Sequence, residues 1–289
     1  MHPYLLCSMS SPAIGLIVTG YDALKELQIF ASSLEIWHPE AVLYIYTDDV
    51  TTAQIKNLQF KGTIKSKSKL NQYVGKNRYE MESLPGKQYD SMWKEFMYEK
   101  ANVIEWMFDE KETNVWFMDA DITFLAPLPT IPENTTLALC PHYIRECDTT
   151  RYGIYNGGFL WMSTKEYLPI WRNAGHTTRF FEQSALEDIA TTAKASNTFY
   201  EFPIQVNFGW WRMFQSAAAP PILQQKFSIF RDQTSIGVRY DGMPLQSVHT
   251  HWNNKGERAM VAFNQWFKEF LVKFKKHKPI AKFHSLICG

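Results

Sequence analysis

The sequence has 289 residues, which suits one large domain or two small ones. Its 45% apolar content allows a sizeable core, and its net charge of +1 gives no general electrostatic case for binding nucleic acid. Four cysteines without a Cys-x-x-Cys pair or a zinc-type histidine spacing predict free thiols in a cytoplasmic protein. We expect no signal peptide and no transmembrane segment, because no apolar run is long enough.

In chain order, residues 14–49 predict a strand–helix–strand unit. Its elements are a strand at Gly15–Thr19, an amphipathic helix at Asp22–Trp37 and a strand at Val42–Tyr46. Such units build parallel sheets, and ligands bind beyond the carboxyl ends of their strands. Asp48 and Asp49 follow the second strand and are therefore candidates for a binding edge.

The following segment, residues 61–91, is polar and has little periodicity, which predicts a mobile loop or a lid over an anionic ligand. An apolar stripe predicts a helix at 92–108, and a buried strand at Val115–Met118 leads to Asp119 and Asp121. These two carboxylates point the same way in an extended chain. They are tolerable if a cation lies between them, if one is protonated, or if both reach water.

The rest of the chain continues the alternation of strands and helices. We predict a strand at Leu137–Cys140, a tight turn at Asn156–Gly158 before a strand at Phe159–Met162, a helix at 179–193, a strand carrying two histidines within 246–256, and a last helix at 257–278. No repeat or clear linker interrupts the chain. We therefore expect a single α/β domain with a nucleotide-binding half (about 14–125) and a sugar and acceptor half (about 126–256).

One chemistry that fits the two aspartates is phosphate transfer to Asp119. Residues 119–123 match the Asp-x-Asp-x-Thr motif of the haloacid dehalogenase superfamily, in which the first aspartate attacks phosphorus. In that superfamily the motif ends the first strand, whereas a whole strand–helix–strand unit precedes it here. The later acidic pair that such an enzyme needs would be Glu187 and Asp188, which lie in a helical pattern.

The other chemistry is a metal site in which Mn²⁺ or Mg²⁺ bridges the two phosphates of a nucleotide-sugar and neutralises the leaving group. Such a site needs a third ligand, and His249 or His251 fits that role. Lys255 would then hold a phosphate oxygen as a point charge. Two more pairs belong to this hypothesis. They are Gly157 and Gly158, which allow close backbone approach to a sugar, and Glu182 with Gln183, which would touch sugar hydroxyls or the reacting centre.

Four motifs, in this order, resemble those of the GT-A glycosyltransferases, most of all the retaining family-eight enzymes. They are FMDADITFLAPL (117–128), YNGGFLWM (155–162), EQSAL (182–186) and HTHWNNK (249–255). The resemblance covers about residues 14–256. It implies a GT-A fold, a mostly parallel mixed sheet flanked by helices, and a UDP-sugar donor with a glycan, glycoprotein or lipid-linked acceptor.

The resemblance also assigns roles to residues. It implies a metal held by Asp119, Asp121 and His249, and a nucleoside pocket at Thr19, Gly20 and Tyr21 with Asp48 or Asp49 near the base. Lys94 or Lys100, with Lys255, would reach the diphosphate, and Ala120 lies within the donor-binding motif. Asn156 and Gly157 would contact the donor sugar, and Glu182 and Gln183 would lie near the anomeric carbon.

Several features depart from that family or leave alternatives open. Glu182 replaces the usual aspartate and would also suit the general base of an inverting enzyme, so the stereochemistry stays open with a lean to retention. Trp210 and Trp211 are candidates for an acceptor platform or a packed loop. The basic segment 273–279 would suit peripheral contact with an anionic membrane or a solvated helix end. A non-catalytic glycan-binding protein on the same fold is the third hypothesis.

Overall fold

The computed structural model describes residues 11–142, 145–231, 236–253 and 255–288. The strands are β1 (Ala13–Val18), β2 (Val42–Thr47), β3 (Thr63–Ser68), β4 (Val115–Met118), β5 (Ile122–Phe124), β6 (Leu137–Pro141), β7 (Tyr155–Met162), β8 (Phe199–Glu201), β9 (Phe208–Gly209), β10 (Phe227–Arg231), β11 (Ile236–Tyr240), β12 (Met243–Pro244) and β13 (Ser247–His249). The helices are α1 (Tyr21–Leu34), α2 (Asp49–Ile55), α3 (Arg78–Ser83), α4 (Met92–Asp109), α5 (Glu146–Tyr152), α6 (Tyr167–Ala174), α7 (Leu186–Ala195), α8 (Trp211–Phe214), α9 (Pro220–Gln224), α10 (Arg258–Lys273) and α11 (Lys278–Cys288).

The main sheet has seven strands in the order β3-β2-β1-β4-β7-β6-β8. Strands β1, β2, β3 and β4 pair in parallel, and so do β6 and β8. Only β7 among these seven runs antiparallel to its neighbours, β4 and β6. The predicted fold, a mixed and mostly parallel sheet in a single α/β domain, is therefore confirmed.

Both faces of this sheet are buried, as expected for parallel strands covered by helices. Along β4, Val115 and Phe117 join a core that includes α4, α6 and α7, while Trp116 and Met118 join the opposite core with α1. This alternation has a consequence for the residue that follows the strand. Asp119 continues the parity of Val115 and Phe117 and therefore faces α4.

A second, three-stranded sheet carries the segment after the two aspartates. Its order is β5-β13-β9, with β13 antiparallel to β5 and parallel to β9. In this register His249 lies opposite Ile122, the residue directly after Asp121. The pairing therefore brings together two motifs that lie more than one hundred residues apart in the sequence.

The C-terminal part forms a third apolar cluster. Phe263, Phe267 and Leu271 of α10 are buried in it, and α11 contributes Phe283 and Ile287. The predicted helix 257–278 ends at Lys273, and a second helix begins at Lys278. Within the described residues, no helix combines the length and the apolarity needed to cross a bilayer. Cys140, Cys147 and Cys288 lie within the described residues and are free thiols, while Cys7 lies outside them.

Four local predictions were wrong. The segment 61–91 contains the edge strand β3, a 3₁₀ turn at Asn71–Tyr73 and α3. Its lysines hid the strand, because Lys65 and Lys67 lay their cationic ends over Tyr44 and Trp106 instead of alternating with apolar residues. The strand with two histidines is also shorter than predicted, since β13 ends at His249.

The other two errors concern the motifs themselves. Residues 156–158 form no turn but belong to the continuous strand β7. The helix predicted at 179–193 begins only at Leu186, and the residues before it form turns in which Phe181 has a φ of 43°. Glu182 and Gln183 therefore lie in an irregular segment, where backbone geometry is set by packing that the sequence pattern does not show.

One hydroxyl joins the first helix to the strand after the aspartates. Ser33 on α1 is buried, donates to the carbonyl of Phe30 at 2.9 Å and accepts from the amide of Phe124 on β5 at 3.0 Å. Replacing it with alanine would leave that buried amide without an acceptor. We expect Ser33→Ala to lower the free energy of unfolding by about 1–3 kcal/mol in urea denaturation.

The neighbouring residue provides the control. Ser32 is half-buried and its hydroxyl meets only the Gln28 side chain, at 3.0 Å. Ser32→Ala should change the free energy of unfolding by about 0.5 kcal/mol or less. Equal losses in the two variants would contradict the role given to Ser33.

Candidate functional site

The two aspartates lie at the carboxyl end of β4, in the turn that leads to β5. The amide of Asp119 donates to the carbonyl of Gly158 at 2.9 Å, which extends the pairing of β4 with β7 by one residue. The carbonyl of Asp121 accepts from the amide of Thr250 at 3.1 Å. Backbone bonds from two directions thus fix the turn, and the two carboxylates are held rather than free to separate.

Asp119, Asp121 and His249 converge on one point. His249 Nε2 is 3.2 Å from Asp121 Oδ1 and 3.8 Å from Asp119 Oδ2, and one ligand atom from each residue lies within 4.8 Å of the others. His251, the second candidate, places Nε2 at 3.5 Å from Asp121 Oδ2 with a half-exposed ring. The sequence prediction placed these four residues together, and the structure does so.

The space around this trio suits a cation. Carboxylate oxygens with one imidazole nitrogen form a donor set that Mn²⁺ and Mg²⁺ accept. Gly158 leaves the room, because a Cβ there would lie 2.2 Å from Asp119 Oδ2 and 2.6 Å from His249 Cε1. The residues present therefore fit a divalent ion, held by Asp119, Asp121 and His249.

The electrostatics of the trio also fit. Burial alone would raise the pKa of Asp121, but the charges of His249 and His251 outweigh it and hold that pKa well below its usual range. Burial would lower the pKa of His249, and the facing Asp121 and Asp119 carboxylates raise it instead. The facing carboxylates thus favour positive charge on the imidazole, in the place where an ion would supply it.

A directed chain of hydrogen bonds sets the tautomer of His249. Its Nδ1 lies 3.2 Å from Asn207 Oδ1, and Asn207 Nδ2 donates to Asn156 Oδ1 at 2.9 Å. Asn156 Nδ2 lies 3.1 Å from His142 Nε2, and His142 Nδ1 lies 3.4 Å from the carbonyl of Gly153. If every group donates in this direction, His249 keeps its proton on Nδ1, and Nε2 faces the aspartates as a metal ligand.

A buried lysine completes the charge balance. Lys100 on α4 places Nζ 2.7 Å from Glu182 Oε1 and 3.3 Å from Asp119 Oδ1, and donates to the carbonyl of Gly157 at 3.0 Å. Burial would lower the pKa of Lys100, but the two carboxylates raise it above its usual value. Lys100 therefore lies as a cation between the metal-site aspartate and Glu182.

Lys100 and the trio of Asp119, Asp121 and His249 line one cleft of about 520 Å³. From the predicted site it is lined by Thr19, Asp119, Ala120, Asp121, Asn156, Trp210, Trp211, His249 and His251. Residues that sequence reasoning did not assign to the site also line it, among them Glu26, Lys76, Arg78, Trp93 and Met260. Glu26 carried no signal, because an acid on an amphipathic helix is most often solvated.

No family model and no curated protein matches the sequence. Solved structures do resemble it. The galactosyltransferase LgtC, in complex with donor and acceptor sugar analogues, gives a TM-score of 0.54 at 14% identity, covering 89% of this chain and 94% of its own. The apo form of mouse xyloside xylosyltransferase 1 gives 0.52 at 10% identity, covering 82% and 96%. The apo glycosyltransferase GlyE of Streptococcus pneumoniae TIGR4 gives 0.50 at 15% identity, covering 90% of this chain and 64% of its own.

The fold is that of the GT-A glycosyltransferases. At these identities the likeness concerns the fold, and the order of motifs in this chain agrees with it. The haloacid dehalogenase alternative loses its second acidic pair in this GT-A fold, because Glu187 on α7 is engaged by Arg179 at 2.7 Å and by the amide of Ile154 at 2.8 Å.

The structure separates the two candidate lysines of α4. Lys94 does not line this cleft, and its Nζ pairs with Asp90 at 2.9 Å. Lys100, the alternative, is the lysine that reaches the site. Lys255 is exposed and does not line the cleft.

Several predicted donor contacts are engaged in internal bonds. Asp48 is buried and caps α2, where it accepts from Thr51 and from the hydroxyl of Thr19 at 2.8 Å. Asp49 is exposed and accepts from Ser68. Near them, Gly20 and Tyr21 lie at the surface where α1 begins. Gly20 has a φ of 84°, and Tyr21 is 66% exposed.

The sugar-side residues are similarly engaged. Gln183 bridges two backbone groups, accepting from the amide of Gly157 at 3.1 Å and donating to the carbonyl of Tyr152 at 2.9 Å. Trp211 lies edge-on against His249, with ring centres 5.0 Å apart, and Trp210 crosses it at 79°. This arrangement differs from a flat stacking platform, because the two indoles do not present one continuous face.

The room left by Gly158 gives a direct test of the metal site. A methyl group there would push against Asp119 and His249, so we expect Gly158→Ala to weaken Mn²⁺ binding by about 10- to 100-fold in calorimetric titration. Gly157→Ala is the matched control, since its Cβ would meet Glu182 Oε1 at 2.7 Å and not the trio. Mn²⁺ binding as tight in Gly158→Ala as in the wild type would contradict the site.

His142 predicts a pH dependence of stability. Burial, followed by the nearby Arg212 charge, lowers the pKa of His142 to about 3. The unfolded chain takes up a proton near pH 6.5, whereas the folded chain does not, so stability is lost as the pH falls below that value. We expect His142 alone to contribute a loss of up to about 1.4 kcal/mol per pH unit between about pH 6 and 5.

The matched variant is His142→Gln, whose amide oxygen can still accept from Asn156. Its free energy of unfolding should fall less steeply over the same pH range in urea titrations. Identical slopes for the wild type and the variant would show that His142 does not carry this dependence.

Proposed function

We propose that the chain is a metal-dependent glycosyltransferase that moves a sugar from a UDP-sugar to a hydroxyl of a glycan, glycoprotein or lipid-linked acceptor. The observation that carries the proposal is the Asp119–Asp121–His249 trio at the base of a cleft of about 520 Å³. Its location at the carboxyl end of a parallel strand is the position where α/β folds bind nucleotides. The GT-A fold of the neighbours supports the same chemistry.

The proposed mechanism assigns positions rather than covalent roles to the residues. A bound Mn²⁺ or Mg²⁺ would neutralise the charge that develops on the leaving diphosphate. Lys100 fixes the Asp119 carboxylate and places a buried positive charge between the trio and Glu182. Asn207 orients the His249 ring so that Nε2 stays available. Lys255, which is exposed, would add a second positive charge at the diphosphate.

Glu182 decides between two stereochemical courses. An inverting enzyme needs a carboxylate that is free to take the proton of the acceptor hydroxyl. Glu182 is 3% exposed, and its Oε1 already pairs with Lys100 Nζ at 2.7 Å. This pairing weakens the case for a base, and we therefore propose retention of configuration, with Glu182 and Gln183 near the anomeric carbon of the donor sugar.

The acceptor end is proposed at Trp210 and Trp211, beside the trio. Trp211 Nε1 is buried and has no hydrogen-bond partner among the described residues, so it is available to a sugar hydroxyl. For a lipid-linked acceptor, the exposed Lys273, Lys275 and Lys276 at the end of α10 would contact an anionic membrane surface.

The test is ligand-dependent stabilisation. We expect UDP to raise the melting temperature of the protein only when Mn²⁺ is present, and GDP and CMP to raise it less, since a ligand of the folded state stabilises by mass action. Asp121→Asn should abolish the joint effect. Asp109→Asn, which changes an exposed aspartate at the end of α4, is the matched control and should behave like the wild type.

Three outcomes would contradict the proposal. Stabilisation by UDP that is unchanged in Asp121→Asn would remove the metal assignment. No stabilisation by any nucleotide with Mn²⁺, together with hydrolysis of p-nitrophenyl phosphate, would favour the phosphatase. Glycan binding without nucleotide or metal would favour the non-catalytic alternative.

A further inference from the structure

One acid in the cleft is not accounted for by the metal site. Glu26 lies on α1, is 5% exposed and lines the cleft together with Thr19, Ala23 and Asp121. Its Oε2 is buried and accepts no hydrogen bond from any described residue. The backbone amides of Asn253 and Trp252 face the carboxylate, and that of Asn253 makes a long contact of 3.5 Å with Oε1. A buried carboxylate oxygen without a donor is rare in folded proteins and points to a ligand that supplies one.

The other acids that line the cleft already have partners. Asp119 meets Lys100, and Asp121 meets His249 and His251. Glu26 feels the neighbouring Asp121 charge, and burial together with that charge raises its pKa to about 7. Because it is an acceptor in an already acidic corner, Glu26 suits hydroxyl or N–H donors and would repel a phosphate.

The position of Glu26 indicates which part of a bound nucleotide its carboxylate would contact. The trio marks where a diphosphate would lie, and Glu26 lines the same cleft from α1, the helix that follows β1. Ala23 is one turn earlier on the same face of α1, and its small side chain leaves room beside the carboxylate. Next to a diphosphate, a nucleotide presents its ribose, whose two neighbouring hydroxyls match the two oxygens of a carboxylate.

We propose that the Glu26 carboxylate accepts hydrogen bonds from the ribose hydroxyls of the donor nucleotide and so makes the cleft selective for ribonucleotides. The inference rests on the proposed function, because it takes the trio as the diphosphate site. It adds a specificity-determining residue that no motif in the sequence indicates.

The experiment compares UDP with 2′-deoxy-UDP, 3′-deoxy-UDP and N3-methyl-UDP in calorimetric titrations with Mn²⁺. It is run at about pH 8.5, where Glu26 is ionised. The wild type should bind at least one deoxy analogue about tenfold more weakly than UDP. In Glu26→Gln this ratio should shrink towards one, because the amide nitrogen cannot accept a hydrogen bond.

The control variant is Asp22→Asn, which removes a charge from the same helix at a side chain that is 90% exposed. It should keep the full preference for UDP over the deoxy analogues. Mn²⁺ binding without nucleotide and circular dichroism should be the same in all three proteins, which would separate ribose recognition from damage to the metal site or the fold.

Each remaining outcome overturns the inference. Equal binding of UDP and both deoxy analogues by the wild type, or an undiminished preference in Glu26→Gln, would show that Glu26 does not bind the ribose. If the variant instead loses its preference against N3-methyl-UDP, the carboxylate binds the base. If the wild type binds no UDP with Mn²⁺, the proposed function itself fails, and that result is visible before any variant is compared.

Discussion

The site depends on the compensation of negative charge at the end of a buried strand. Asp119 and Asp121 lie side by side where water is largely excluded, and unpaired charges there would be too costly to keep. Lys100 reaches Asp119 from α4, and His249 reaches both aspartates from β13. Three separate parts of the chain must therefore pack correctly before the two acids can be buried, and that requirement ties the fold to the site.

The one antiparallel strand of the seven-stranded sheet explains how these parts come so close. Strand β7 runs beside β4 and brings Gly157 and Gly158 against the turn that holds the aspartates. The strand is continuous through both glycines. These positions lack a Cβ atom because neighbouring side chains occupy the space that it would need. Glu182 fills that space at Gly157, and Asp119 with His249 fills it at Gly158. The glycines thus serve close packing of charged side chains rather than a turn.

The sequence allowed the fold class and the metal trio to be predicted, because they rest on local signals. The Asp-x-Asp motif at the end of an apolar strand is visible within one short segment of the sequence. The histidine at strand spacing is visible within another. Lys100 and Glu26 could not be chosen in the same way, since each lies on an amphipathic helix where a charged residue usually faces solvent. Their burial follows from the tertiary contacts of α4 and α1, and a propensity pattern contains no record of those contacts.

The cleft can recognise a ligand through polar side-chain groups that are not already engaged in hydrogen bonds within the protein. Asn156, Gln183 and Asp48 were candidates for ligand contacts, yet their side-chain groups already bond to other parts of the protein. Of the buried side-chain atoms that lack a partner among the described residues, two line the cleft. One is an acceptor, Glu26 Oε2, and the other is a donor, the Nε1 of Trp211.

A ligand that lies across the metal trio and satisfies both atoms must offer a donor at one place and an acceptor at the other. Hydroxyl groups do both, and a nucleotide-sugar with its acceptor carries them on each side of the diphosphate. The backbone hydrogen bonds that hold the trio in place make the site rigid. The two atoms without a partner allow the site to discriminate between ligands. A chain that shares its fold with these structural neighbours at 10–15% identity can in this way contact a ligand through residues of its own.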